Sequence, residues 1–269
     1  MSQRLPRAVL GALFLLFATA AYPADFDELD KPPEGAHRGQ MLLGAFFSIG
    51  MPFGSCIDAE NAFVKGSHYT IDKDEGTAKA FEVSHLYFGI GFAFEYMPFD
   101  YMGAKIRFKR NSVVQKTNFG TDYQNWRSYL YKDLSFYIGP SFHLTTRKRW
   151  DFTLTPMIGY ASAVYHAAPV ATRILVSDDD PPVGMSGENE RSFSSLTYGA
   201  ELNCTIYFSG GLFVSFGADW TRMNCAFGKP FDITNPQDAP TSRVYFDGAT
   251  SGVIDAVAFT LTAGYAFSN

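Results

Sequence analysis

The sequence predicts an all-β protein: a closed, antiparallel, up-and-down eight-stranded transmembrane β-barrel. Three observations predict it. Long stretches alternate bulky apolar residues with small or polar ones, the period of two that belongs to strands. Three tight turns alternate with four long loops, as in a membrane barrel with one short-turned rim and one long-looped rim. The third observation concerns which face is greasy. A half-buried soluble sheet turns large residues inward and polar ones outward, whereas these strands gather charge and glycine on the face opposite the large residues, as lipid outside and a narrow wet interior require.

The N-terminus is set aside first. Arg4 and Arg7 precede an apolar run, Ala8 to Phe17, and Ala18-Thr19-Ala20 supplies a small-x-small cleavage site. This is a secretory signal peptide over residues 1–24, because the run is too short to cross a bilayer. Nothing after Ala24 offers the ~18–20 consecutive apolar residues of a membrane helix. Residues 25–38 are polar and proline-containing and read as a periplasmic lead-in, leaving 39–269 for one all-β domain. The 22 basic residues are outnumbered by 27 acidic ones, and Arg4 and Arg7 fall in the leader. The remainder is therefore acidic, which argues against a nucleic-acid partner. Three cysteines are too few for a disulfide framework.

The strands follow in order. The first sets Met41, Leu43, Ala45, Phe47 and Ile49 against Gly44, Phe46, Ser48 and Gly50, and a polar segment from about Pro52 to Phe81 ends it. The second alternates Leu86, Phe88, Ile90, Phe92, Phe94 and Tyr96 with Tyr87, Gly89, Gly91, Ala93 and Glu95. After a Pro98-Phe99-Asp100 turn, Met102, Ala104, Ile106 and Phe108 alternate with Gly103, Lys105, Arg107 and Lys109. A loop over about Arg110 to Arg127 leads to the fourth strand, Leu134 to Leu144, and a basic turn, Thr146 to Arg149, to the fifth, Trp150 to Tyr160. A third loop, about Ala167 to Ser192, precedes the sixth strand, Leu196 to Phe208. Ser209-Gly210-Gly211 is a hairpin turn into the seventh, Leu212 to Thr221. The fourth loop, about Asn224 to Gly252, leads to the last strand, Val257 to Phe267.

The greasy face carries no charge, and a charge there costs ~2–4 kcal/mol at mid-bilayer. The other face is assigned Glu95, Lys105, Arg107, Asp151, Glu201, Asp219 and Asp255, together with the glycines, which relieve crowding in a barrel this narrow. The first and fourth loops are long enough to hide an extra strand pair, so ten strands remain open.

The last strand places Val257, Phe259, Leu261, Tyr265 and Phe267 on one face and ends in an aromatic residue, followed here by Ser268 and Asn269. On this strand, and on the architecture of Gly39 to Phe267, the chain resembles the small eight-stranded outer-membrane barrels of bacteria, the group that includes OmpA-type transmembrane domains, OmpX and OmpW. The resemblance implies a bacterial outer-membrane location, lipid as the surrounding partner, and recognition by the barrel-insertion machinery through Phe259, Leu261, Tyr265 and Phe267. OmpW-like members are thought to pass small apolar molecules through a side opening.

Candidate sites lie inside the barrel, in its wall and in its loops. Counting from Gly210 places Glu201 opposite Asp219. Counting from Phe99 brings Arg107 to similar depth, with Lys105 below and Gly91 and Ala93 opposite the two cations. A network of Glu201, Asp219, Arg107, Lys105 and Glu95 is expected, since facing carboxylates need a cation or a proton. It either plugs the barrel or gates an ion path. Counting from Arg147 sets His143 opposite Asp151. Pro140 and Pro156 face lipid on adjacent strands and cannot donate to the ladder, so they mark either a weak seam or a pair of bulges. Cys56 and Cys225, in neighbouring loops, are candidates for a disulfide in an oxidising compartment, while Cys204 faces lipid. Asp178 to Asp180 reads as a solvated loop tip, and no metal or cofactor is expected. His85 beside Ser84 and His166 lack evident acidic partners, so no catalysis is expected. Two functions remain: a structural barrel that admits small apolar solutes, and a surface protein whose long loops bind host molecules.

Overall fold

The computed structural model describes residues 35–66, 68–72, 76–79, 82–118, 124–166, 186–188, 190–229, 232–234, 243–245 and 251–267. The expected signal peptide, residues 1–24, and Asp178 to Asp180 lie outside them. Eight strands close into one barrel: β1 (Met41–Phe53), β2 (Glu82–Phe99), β3 (Met102–Asn118), β4 (Gln124–His143), β5 (Trp150–His166), β6 (Glu190–Tyr207), β7 (Leu212–Ala226) and β8 (Ser251–Phe267). Each pairs antiparallel with its sequence neighbours, and β1 closes on β8 from Met41–Phe267 to Phe53–Asp255. The barrel therefore has eight strands and not ten. The segment between β1 and β2 contributes instead a separate hairpin, His68–Asp72 with Gly76–Lys79.

The outer wall is greasy. Phe47, Phe92, Leu134, Leu154, Leu196, Leu202 and Phe259 are all exposed, Leu134 and Leu196 by more than 60%. Aromatics border this band at both ends, Trp150 and Phe208 at the short-turn rim and Tyr160, Tyr198 and Trp220 toward the loops. The stretch from Trp150 to Tyr160, about ten residues at ~3.3 Å each and tilted ~40°, covers the ~25 Å of an apolar membrane band. No helix of the described residues is long and apolar enough to cross a membrane; this chain crosses with strands.

The strands run past the band on the loop side, and charges stand on the outer wall there, Arg110, Lys116, Lys132, Arg222 and Asp255 among them. Asp255 is a correction. It was assigned to the lumen, but parity from Val257 puts it on the outer face, where Arg222 Nε and Nη2 donate to it at 2.7 and 2.9 Å and Trp220 Nε1 at 3.2 Å.

One helix, α1 (Ser55–Gly66), lies where a polar loop was expected. The positive φ of Gly54 turns the chain out of β1, Asp58 offsets the N-terminal dipole, and the Ser55 hydroxyl accepts from the Val253 amide at 2.9 Å. Cys56, Ile57 and Glu60 are buried against the barrel's interior, so the helix stops the loop-side mouth. At the other end, residues 35–40 fold under the barrel: Arg147 donates to the Ala36 carbonyl at 3.0 Å and Gly39 to the Met97 carbonyl at 2.7 Å. Ala36, Leu42, Met97, Tyr207, Phe213 and Ala266 form an apolar floor there. Residues 35–38 of the expected lead-in thus pack against the barrel, while residues 25–34 lie outside the described residues.

Candidate functional site

The lumen is built in tiers, because each strand sends alternate residues inward and the sequence changes character along it. The middle tier is ionic. Its cations come from β3, and its carboxylates from β6 and β7; β3 and β7 stand diametrically opposite in the strand order. Lys105 Nζ reaches Glu201 Oε1 at 2.9 Å and Arg107 Nη1 reaches Glu201 Oε2 at 2.8 Å. Arg107 also approaches Asp219 at 3.4 Å, and Lys109 Nζ lies 2.6 Å from Asp219 Oδ2. All five side chains are at least nine-tenths buried. Glu201 and Asp219 are ladder partners across the Ser209–Gly211 turn, whose Gly210 and Gly211 take positive φ values of 75° and 83° that favour glycine. Arg107 stacks 4.1 Å above the Phe46 ring and Lys109 4.9 Å from that of Tyr87.

The register on the other wall differs from expectation. Ala93 pairs with Arg107, Glu95 with Lys105, and Gly91 with Lys109. The β2–β3 turn includes Asp100 and Tyr101, and the ladder shifts between Tyr96 and Phe99, which moves the partners by two residues. Lys109 therefore enters the tier as its third cation. Glu95 faces Lys105 but spends its hydrogen bonds one tier lower, accepting from Ser141 and lying 2.7 Å from His143 Nε2. His143 Nδ1 meets Asp151 at 2.5 Å, although the strand partner of His143 is Thr153. Glu95, His143 and Asp151 thus join β2, β4 and β5 above the floor.

The outer tier is mainly apolar, with Asn111, Gln115, Asp133 and the Glu60 of α1 buried among its aromatic and aliphatic side chains. Tyr87, Val113, Tyr131, Ala161, Ala163, Met223, Ile254 and Ala256 line it, and α1 fills its top with Cys56 and Ile57. Hydroxyls are satisfied within it: Tyr87 donates to Asn111 at 2.6 Å and Tyr131 to the Met223 sulfur at 3.2 Å. Asn111 donates in turn to Asp133 at 2.9 and 3.0 Å, and Tyr137 donates at 3.1 Å to Thr197, whose own hydroxyl donates to the Arg222 carbonyl. Cavities among the described residues include one of about 30 Å³ below the ionic tier and one of about 10 Å³ at the foot of the outer tier; at ~10–15 Å³ for a water they have room for single waters and not for a continuous file.

Pro140 and Pro156 both lie exposed on the outer wall. The β4–β5 ladder runs from Tyr131–Tyr165 to Ile138–Ile158 and resumes at Phe142–Leu154. The register sets the two prolines face to face in the gap, with no shift to mark a bulge. The strands still touch, since a Cβ on Gly139 would sit 1.9 Å from the Pro156 carbonyl. This is a closed but unbonded seam.

Cys56 and Cys225 are not loop residues. Cys56 is in α1 and Cys225 in β7, and both are buried free thiols in the outer tier. Cys204 lies on the outer face between its partners Phe152 and Phe216. Phe259, Leu261 and Phe267 are exposed on the outer wall and Tyr265 stacks 4.8 Å from Phe267. His85 meets Gln115 at 3.3 Å. His166 does have an acidic neighbour, Glu190 at 3.3 Å.

Neither a protein-family model nor a curated protein sequence matches this chain. Solved structures do resemble it. The outer membrane protein OprG from Pseudomonas aeruginosa aligns with a TM-score of 0.49 at 13% identity, covering 88% of this chain and 100% of OprG. Ail, the attachment invasion locus protein of Yersinia pestis, aligns at 0.39 and 13%, covering 86% and 99%. Neisserial surface protein A aligns at 0.40 and 8%, covering 84% and 97%. These are resemblances only; the closed eight-stranded antiparallel barrel of this chain rests on its own strand order.

Proposed function

We propose that this chain is a bacterial outer-membrane barrel that admits small apolar solutes at its loop-side mouth and releases them sideways into the bilayer. The observation that carries this reading is the division of the lumen: an apolar outer tier standing on an ionic one. An ion pore needs a continuous hydrated path, and here Lys105, Arg107 and Lys109 bridge the full width to Glu201 and Asp219. Residues 35–40 close the periplasmic end. A solute in the outer tier therefore has the wall as its exit. The unbonded seam begins just past Tyr137, at the outer tier's foot, and runs beside the ionic tier, where Gly139 pairs with Lys105 and Thr155 with Glu201. We assign no catalytic role to His85 or His166.

The test pairs two measurements on protein reconstituted in bilayers. Planar-bilayer recordings are expected to show no steady ion conductance, while N-phenylnaphthylamine, an apolar fluorescent probe, gains access to the membrane faster than through protein-free vesicles. Steady conductance without probe uptake would sink the reading.

A second reading, a surface protein acting through its loops, rests on a different observation. Ser186–Glu188 pairs with Asp232–Thr234, which pairs with Arg243–Tyr245, so the third and fourth loops are knitted into one small sheet. Removing that sheet would abolish binding to host surface molecules and leave probe uptake intact.

A further inference from the structure

The helix that stops the outer mouth carries a thiol, and the wall behind it carries another. Cys56 is the second residue of α1 and Cys225 the last but one of β7. Both are buried, 2% and 1% exposed, within one apolar cluster. The wall is shaped for this meeting. Gly252 on β8 is the ladder partner of Cys225, and a Cβ at Gly252 would sit 2.4 Å from Cys56 Sγ, so the missing side chain leaves the sulfur its place. The first turn of α1 is held independently: Tyr165 on β5 donates to the Cys56 carbonyl at 3.3 Å, and Ser55 accepts from Val253 on β8. The Cys56 sulfur therefore sits beside Cys225, over its ladder partner Gly252, before any bond forms.

We infer that Cys56 and Cys225 are a redox modification site: joined as a disulfide they latch α1 in the outer tier, and as thiols they let it leave. The consequence for solutes rests on the uptake reading above, because the space that α1 fills is the space a solute would enter. A chain exported through an oxidising compartment meets thiol oxidases. The two thiols give up two protons and two electrons to the oxidase's disulfide, which becomes a dithiol as the Cys56–Cys225 bond forms. A small-molecule thiol arriving from outside reverses this in two exchange steps, ending as its own disulfide. Cys204, on the far side of the wall, takes no part and serves as an internal standard.

The experiment uses full-length protein taken from membranes without reductant. Denatured and alkylated, it should take up one alkyl group, and three after reduction, one for each cysteine. In nanodiscs, reduction should expose residues 55–66 to protease, and Cys56→Ser and Cys225→Ser should show that exposure with no reductant. Heat-modifiable migration on gels verifies that both variants fold. Three alkyl groups before reduction would overturn the inference, and so would a disulfide whose reduction leaves the helix protected. N-phenylnaphthylamine fluorescence then separates the two ideas. A several-fold rise on reduction supports both, whereas protease exposure with no probe entry in any form supports the latch and counts against uptake.

Discussion

The outer and middle tiers of the lumen solve the same problem of filling a narrow barrel by opposite means. The middle tier fills it with long charged side chains that cross the axis and find partners on the far wall. The outer tier fills it with Tyr, Met, Ile and Ala from the wall and with a helix delivered from the first loop. The difference teaches where the barrel can change. A charge removed from the middle strands its partner in a dry place, whereas the helical plug is held by apolar area and a few hydrogen bonds, and leaving exposes surface that a second apolar body can cover.

Mutations can break this contrast, beginning with the largest expected effect. Arg107→Ala leaves Glu201 and Asp219 facing each other with one fewer cation, and should cost about 3–5 kcal/mol in urea unfolding. An unchanged unfolding midpoint would show that the tier is not held by its ion pairs. Ile57→Asp puts a carboxylate into the outer tier, and expelling the helix is easier than burying that charge unpaired. Limited proteolysis of the reduced variant should then cut within 55–66 while the barrel's unfolding midpoint holds, and a coupled loss of the barrel would contradict independent tiers. Replacing Pro140 and Pro156 together by alanine returns two donors to the seam. It should add about 0.5–1.5 kcal/mol for each hydrogen bond that forms and slow probe uptake. Faster uptake would show that the seam is not the exit. Tyr131→Phe removes only the donation to Met223 and should cost about 1 kcal/mol or less, read from the same urea transitions.

How much of this was legible in the sequence follows from geometry. Strand parity needs no register, so the greasy wall and the charged interior could be read directly. Glu201 opposite Asp219 was also legible, because the Ser-Gly-Gly turn leaves little choice of centre. The β2–β3 register was not: Asp100 and Tyr101 both sit in the turn and the ladder slips above it, so Lys109 was left out of the tier it completes. The outer tier escaped because Tyr131, Met223 and Ile254 lie where strands run beyond the membrane band, and polar neighbours made those stretches read as loops. For the same reason α1 was hidden in a segment read only for turns. Asp255 was misassigned by grouping charges together instead of counting parity from Val257.

The central claim is that the outer tier accepts an apolar body and the ionic tier stops it. A crystal of the reduced protein soaked with a small brominated alkane tests this most directly, through the anomalous signal of bromine. The account predicts a peak inside the barrel beside Tyr131, Met223 and Ala256, above Arg107. Bromine found only on the outer wall, or threaded below Arg107 toward His143, would contradict it.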